Sequence, residues 1–71
     1  MVFSGYNFKI STNKDEGFCV YTPIIGYELY APNFNCKNLE ECVDWILQFI
    51  DVSLEDALAL TKLKAETNGS S

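Results

Sequence analysis

Between Tyr6 and Ser11 large apolar residues alternate with polar ones, Tyr6, Phe8 and Ile10 against Asn7, Lys9 and Ser11. A period of two belongs to a half-buried strand with one wet face, so a first strand is expected here. Asn13-Lys14-Asp15-Glu16-Gly17 collects turn formers around a glycine and predicts a hairpin loop. Phe18 to Thr22, rich in aromatic and β-branched residues, is the return strand, and Pro23 ends it because proline has no N–H for the ladder. A third strand is expected from Tyr27 to Ala31. It either resumes after a bulge at Pro32 or gives way to a short fourth strand containing Phe34 and Cys36.

The period then changes to that of a helix. Asn38-Leu39-Glu40-Glu41 reads as a capping box, with the Asn38 side chain accepting from first-turn amides and Glu41 reaching back. At about 100° per residue, Leu39, Cys42, Val43, Ile46, Phe49 and Ile50 share one face of this helix. Trp45 and Leu47 flank that face, and Glu40, Glu41, Asp44, Gln48 and Asp51 lie opposite. Trp45 is therefore expected to be partly exposed, against a second helix or a partner. That second helix begins after Ser53 as its cap, with Leu54, Ala57, Leu58 and Thr61 as the expected inner stripe and Leu60 and Leu63 on the other side. Residues 66–71 offer no apolar anchor and are expected to be a disordered tail, leaving one compact domain over 1–65. The fold class is thus α+β: a three- or four-stranded antiparallel sheet opened by a β-hairpin, one long amphipathic helix packed on it, and a second, C-terminal helix.

Composition narrows the chemistry more than the fold. The 71 residues suffice for a single core, with 48% hydrophobic residues to fill it. All five basic residues are lysines, set against ten carboxylates for a net charge of −5, and histidine is absent. Without arginine the chain lacks the fork that grips phosphates and guanine edges, so direct nucleic-acid binding is not expected. Without histidine it lacks the usual general base and the commonest metal ligand. No catalytic residues, metal site or cofactor are expected. Cys19, Cys36 and Cys42 make an odd count without a C-x-x-C pair, which suggests reduced thiols and a cytoplasmic protein. No apolar stretch approaches membrane-spanning length, so no membrane partner is expected.

Two surfaces stand out as candidate partner-binding sites. Ile24, Ile25, Tyr27 and Tyr30 place large side chains in or beside a loop, where exposed apolar and tyrosine side chains mark interfaces. Glu40, Asp44 and Asp51, with Trp45 beside them, belong to a run of six carboxylates uninterrupted by lysine. Such a face is either solvated or docks on a basic site. Cys42, on the apolar face beside carboxylates that would raise its pKa, reads as a core thiol.

Asp15-Glu16-Gly17-Phe18-Cys19-Val20-Tyr21-Thr22-Pro23, followed later by Leu39-Glu40-Glu41, resembles the small HicB-type antitoxin domain, in which an acidic turn, a glycine-aromatic strand ending in proline and a Leu-Glu-Glu helix start occur in this order. The resemblance spans about half of the chain and implies covering a small basic ribonuclease toxin. It departs from the family where the usual Gly-Asp-Thr before the helix is Cys36-Lys37-Asn38. The expected function is a small, acidic, non-catalytic module that binds a larger protein with a basic or nucleic-acid-binding site, as an adaptor, an antitoxin-like inhibitor or a phage-type inhibitor of a defence or nucleic-acid enzyme. The alternatives are a structural subunit closing on its own copy as a homodimer and, trailing both, a small thiol or carboxylate enzyme.

Overall fold

The computed structural model describes residues 2–14 and 17–69. Its four strands, β1 (Phe3–Ser4), β2 (Lys9–Thr12), β3 (Phe18–Pro23) and β4 (Tyr30–Cys36), form one antiparallel sheet in the order β1-β2-β3-β4. Two helices follow, α1 (Leu39–Phe49) and α2 (Leu54–Gly69). The α+β class and the N-terminal hairpin are as the sequence predicts.

Register fixes the two faces. Ile10 lies opposite Val20, and Val20 opposite Phe34, so these three share the face on which Trp45 of α1 stacks against Phe34. One position along, Ser11, Cys19 and Asn35 align on the face turned away from the helix, as do Lys9 and Tyr21. Phe8, Ile10, Val20, Val43, Ile46 and Leu60 are completely buried between sheet and helices. Each such large side chain contributes about 1.5–3 kcal/mol through its removal from water.

Several expectations are corrected. The alternation at 6–8 is a turn rather than strand: Gly5 N–H donates to the Phe8 carbonyl at 2.9 Å, Tyr6 is exposed, and the Phe8 ring lies where a Gly5 side chain would stand. The pairing capacity there is used instead by Phe3–Ser4, a strand too short to carry a period. Residues 27–29 lie in a turn, and the chain crosses Pro32 inside a single strand, the register slipping so that Tyr21 faces Pro32 while Val20 faces Phe34. That bulge absorbs the proline. The Asp15-Glu16 turn lies outside the described residues, but its flanks close as a hairpin, with Asn13 N–H on the Gly17 carbonyl and Gly17 N–H on Asn13 Oδ1, both at 3.0 Å.

The α1 cap forms as read, Glu41 N–H donating to Asn38 Oδ1 at 2.9 Å, while the Glu41 carboxylate accepts from Lys37 N–H. Phe49 is exposed, so the buried arc of α1 is narrower than the wheel suggests. α2 turns a different stripe inward: Leu60 is buried, while Leu54 (77%) and Leu58 (63%) are exposed. Two polar contacts accompany this rotation, Tyr6 N–H on the Asp56 carboxylate at 2.9 Å and Lys64 on Asp44 at 2.6 Å. Positions 56, 60 and 64 are one turn apart, so these contacts lie on the same side of α2 as the buried Leu60. Ser53 caps α2 through its hydroxyl, which accepts from Asp56 N–H at 3.2 Å. The helix continues to Gly69, so the backbone of 66–69 is helical where the tail was expected, and residues 70 and 71 lie outside the described range.

The cysteines differ from expectation most. Cys36 and Cys42 are bonded as a disulfide, with Cα atoms 6.0 Å apart, and Cys19 is a buried free thiol. The reading of Cys42 as a free core thiol is corrected, because the β4–α1 connection folds the chain back and brings positions 36 and 42 within bonding range.

Candidate partner-binding surface

The chain between β3 and β4 is a hydrogen-bonded projection. Ile24 N–H donates to the Leu29 carbonyl at 2.9 Å, extending the hairpin beyond Pro23, and Tyr27 N–H donates to the Ile24 carbonyl at 3.1 Å. Between them Gly26 has φ +88°, the positive value a type II turn requires at its third position and that glycine adopts at no steric cost. At the base Asn33 Nδ2 donates to Thr22 Oγ1 at 3.1 Å across the two strands. The backbone polar groups are thus tied together while the side chains point out: Ile25 is 97% exposed, Tyr27 70% and Leu29 63%. Ile24 is also exposed. Tyr30 is half-buried, with Lys9 Nζ 4.3 Å from its ring centroid on the sheet face turned away from α1.

The acidic candidates are less coherent. Asp44 is held by Lys64, whose pKa is raised above its ordinary 10.5, chiefly by the hydrogen bond to Asp44, with the charges of Asp44 and Glu40 adding and some desolvation opposing. Asp56 is engaged with Tyr6 N–H, and Glu41 with Lys37 N–H. What remains of the run as exposed or half-exposed carboxylates is Glu40, Asp51 and Glu55. Trp45 is half-buried, as expected, and its ring packs on Phe34 of β4 at 4.9 Å and on Phe49 at 5.6 Å.

The eight candidate residues do not form one patch. The tip leaves the N-terminal end of β4, whereas α1 and Glu40 start beyond its C-terminal end, about 20 Å away along seven extended residues. Asp51 returns toward the tip's end of the sheet, where its carbonyl accepts from Asn7 Nδ2 at 2.8 Å in the β1–β2 turn. Leu29, Leu54, Leu58 and Phe49 were missed as surface residues. Leu29 belongs to the same apolar run as Ile24 and Tyr27 and was legible, but the others carry a helical period that does not say which apolar face turns outward. Among the described residues no group of three or more histidine, cysteine or carboxylate side chains is placed to hold a metal, and no helix is long and apolar enough to cross a membrane.

Comparison with family models, with curated proteins and with solved structures returns no match for this chain.

Proposed function

We infer that the domain is a non-catalytic binding module that docks on a larger protein through the residue 24–29 tip and acts there as an inhibitor or adaptor. The observation that carries this reading is the set Ile25, Tyr27 and Leu29, three large side chains held in water on a hydrogen-bonded turn although the core is filled without them. Ordering an apolar projection before the partner arrives lowers the entropic cost of association, and tyrosine flanked by aliphatic residues suits a partner pocket. Glu40, Asp51 and Glu55 would speed encounter with a basic or nucleic-acid-binding protein, and the resemblance to HicB-type domains makes an antitoxin-like inhibitor one form of this reading. The absence of histidine and arginine supports a non-catalytic role. The expected cytoplasmic setting sits poorly with the Cys36–Cys42 bond, which favours an oxidising compartment.

The test places a photo-crosslinking residue at position 25 in the producing cell. One discrete cross-linked protein, lost when Tyr27 and Leu29 are both serine, supports the reading. A diffuse ladder unaffected by those substitutions refutes it. A homodimer is the second reading, favoured by Leu54 and Leu58, exposed one helical turn apart on α2. Light scattering at a monomer mass across the micromolar range would remove it.

A further inference from the structure

Cys36 is the last residue of β4 and Cys42 the fourth of α1, so their bond spans the corner where the chain leaves the sheet and enters the helix layer. Three other fastenings hold the same corner. Asn38 caps α1, the Glu41 carboxylate accepts from Lys37 N–H, and Phe34, two residues before Cys36, stacks on Trp45, three residues after Cys42. Trp45 in turn meets Phe49, so the ring ladder runs from β4 out to an exposed position on α1.

We propose that the Cys36–Cys42 pair is a redox switch that sets the rigidity of the β4–α1 corner and thereby the placement of Trp45 and Phe49. This goes beyond the partner-binding reading and does not depend on it. The fold tolerates both states, because Phe8, Ile10, Val20, Val43, Ile46 and Leu60 fill the core without the bond, and a buried thiol behaves as a small apolar group. The bond closes a short ring, and short rings constrain the unfolded chain least, so its loss weakens the fold without abolishing it. Cys19 cannot exchange into the pair, because it aligns with Asn35 on the opposite sheet face from Cys36.

The reaction is thiol–disulfide exchange with a dithiol. Its thiolate attacks Sγ of Cys36, the residue that keeps slight exposure where Cys42 keeps none. The sulfur–sulfur bond breaks, the electron pair leaves on Cys42 Sγ, and that sulfur takes a proton from water. The reagent's second thiolate then attacks the reagent sulfur of the mixed disulfide, and Cys36 Sγ leaves with the electron pair and takes a proton from water. The protein gains two electrons and two protons, the dithiol becomes a cyclic disulfide, and the oxidised reagent drives the reverse.

The full chain is equilibrated with oxidised or reduced dithiothreitol and followed by thiol titration in denaturant, thermal melting and the emission of Trp45, the single tryptophan. The oxidised chain should titrate one thiol, Cys19, and the reduced chain three. Reduction should lower Tm by on the order of 10 °C while leaving one cooperative transition. It should also shift the Trp45 emission, and Cys36→Ser/Cys42→Ser should hold the reduced emission in both buffers. Three thiols in both buffers would overturn the proposal, as would reduction that leaves Tm and emission unchanged. A reduced wild-type chain with no cooperative melt would overturn it too, since the bond would then be a requirement for folding.

Discussion

The sheet–helix interior and the β3–β4 tip are made from the same kinds of residue and use them in opposite ways. Ile10 and Ile46 are sealed between layers, while Ile25 stands almost wholly in water six residues after Cys19, one of the buried positions of β3. The difference lies in what surrounds each segment. Phe18–Pro23 is paired on both edges, by β2 and β4, and α1 closes the face carrying Val20, so its inward side chains have nowhere to go but the core. The tip lies beyond the last registered pair, Pro23 and Tyr30, is closed by hydrogen bonds within itself, and leaves Ile25, Tyr27 and Leu29 exposed. Burial here follows from topology, and apolar character alone does not decide it.

The contrast is sharpest in the cost of truncation. Ile46→Ala, which empties a site with no exposure, should cost about 3–4 kcal/mol in urea unfolding, whereas Ile25→Ala should fall within about 0.5 kcal/mol of wild type. Similar losses at the two isoleucines would mean that the tip folds back onto the body.

The glycines draw the same line more finely. A Cβ at Gly17 would stand 2.6 Å from the backbone carbonyl of Cys36, so Gly17→Ala must move the β3–β4 ladder and should cost about 1–3 kcal/mol. A Cβ at Gly26 meets nothing, and only its positive φ opposes substitution, so Gly26→Ala should cost about 1–2 kcal/mol. A Gly17→Ala chain that melts at the wild-type temperature would contradict the packing described. At the α1 corner, Asn38→Ala removes the cap acceptor and should cost about 1 kcal/mol.

Much of the sheet and the start of α1 was legible because each rests on a local signal: Gly17 and Pro23 bound β3, and Asn38 with Glu41 announce the helix. What escaped depends on contacts distant in sequence. The face that α2 turns inward goes with contacts distant in sequence, Asp56 with Tyr6, fifty residues away, and Lys64 with Asp44, and neither pairing leaves a trace in the helical period. The Cys36–Cys42 bond escaped because six residues of numbering say nothing about a chain that reverses between them. Of the candidate surface, Ile24, Ile25 and Tyr27 were readable as large side chains in or beside a loop, although Tyr27 was expected to open a strand, while Asp44 lost its independence to a lysine that only the fold brings near.

That lysine gives a small and signed prediction. Its pKa is raised by the Asp44 hydrogen bond, so the bridge's contribution is complete below the unfolded value and is lost as pH rises through the folded one. Lys64→Met should lower Tm marginally at neutral pH, because an ion pair this exposed is well screened. The two proteins should converge in strongly alkaline solution, and a gap that widened there would contradict the assignment.

The central claim is that the core closes without the tip, which leaves the tip's apolar side chains available to a partner. Urea unfolding of Ile25→Ser/Tyr27→Ser/Leu29→Ser against wild type measures this directly. Stability within about 0.5 kcal/mol of wild type at an unchanged m-value is the expected result. A loss of more than about 2 kcal/mol would make these residues part of the core and remove the basis for a docking surface.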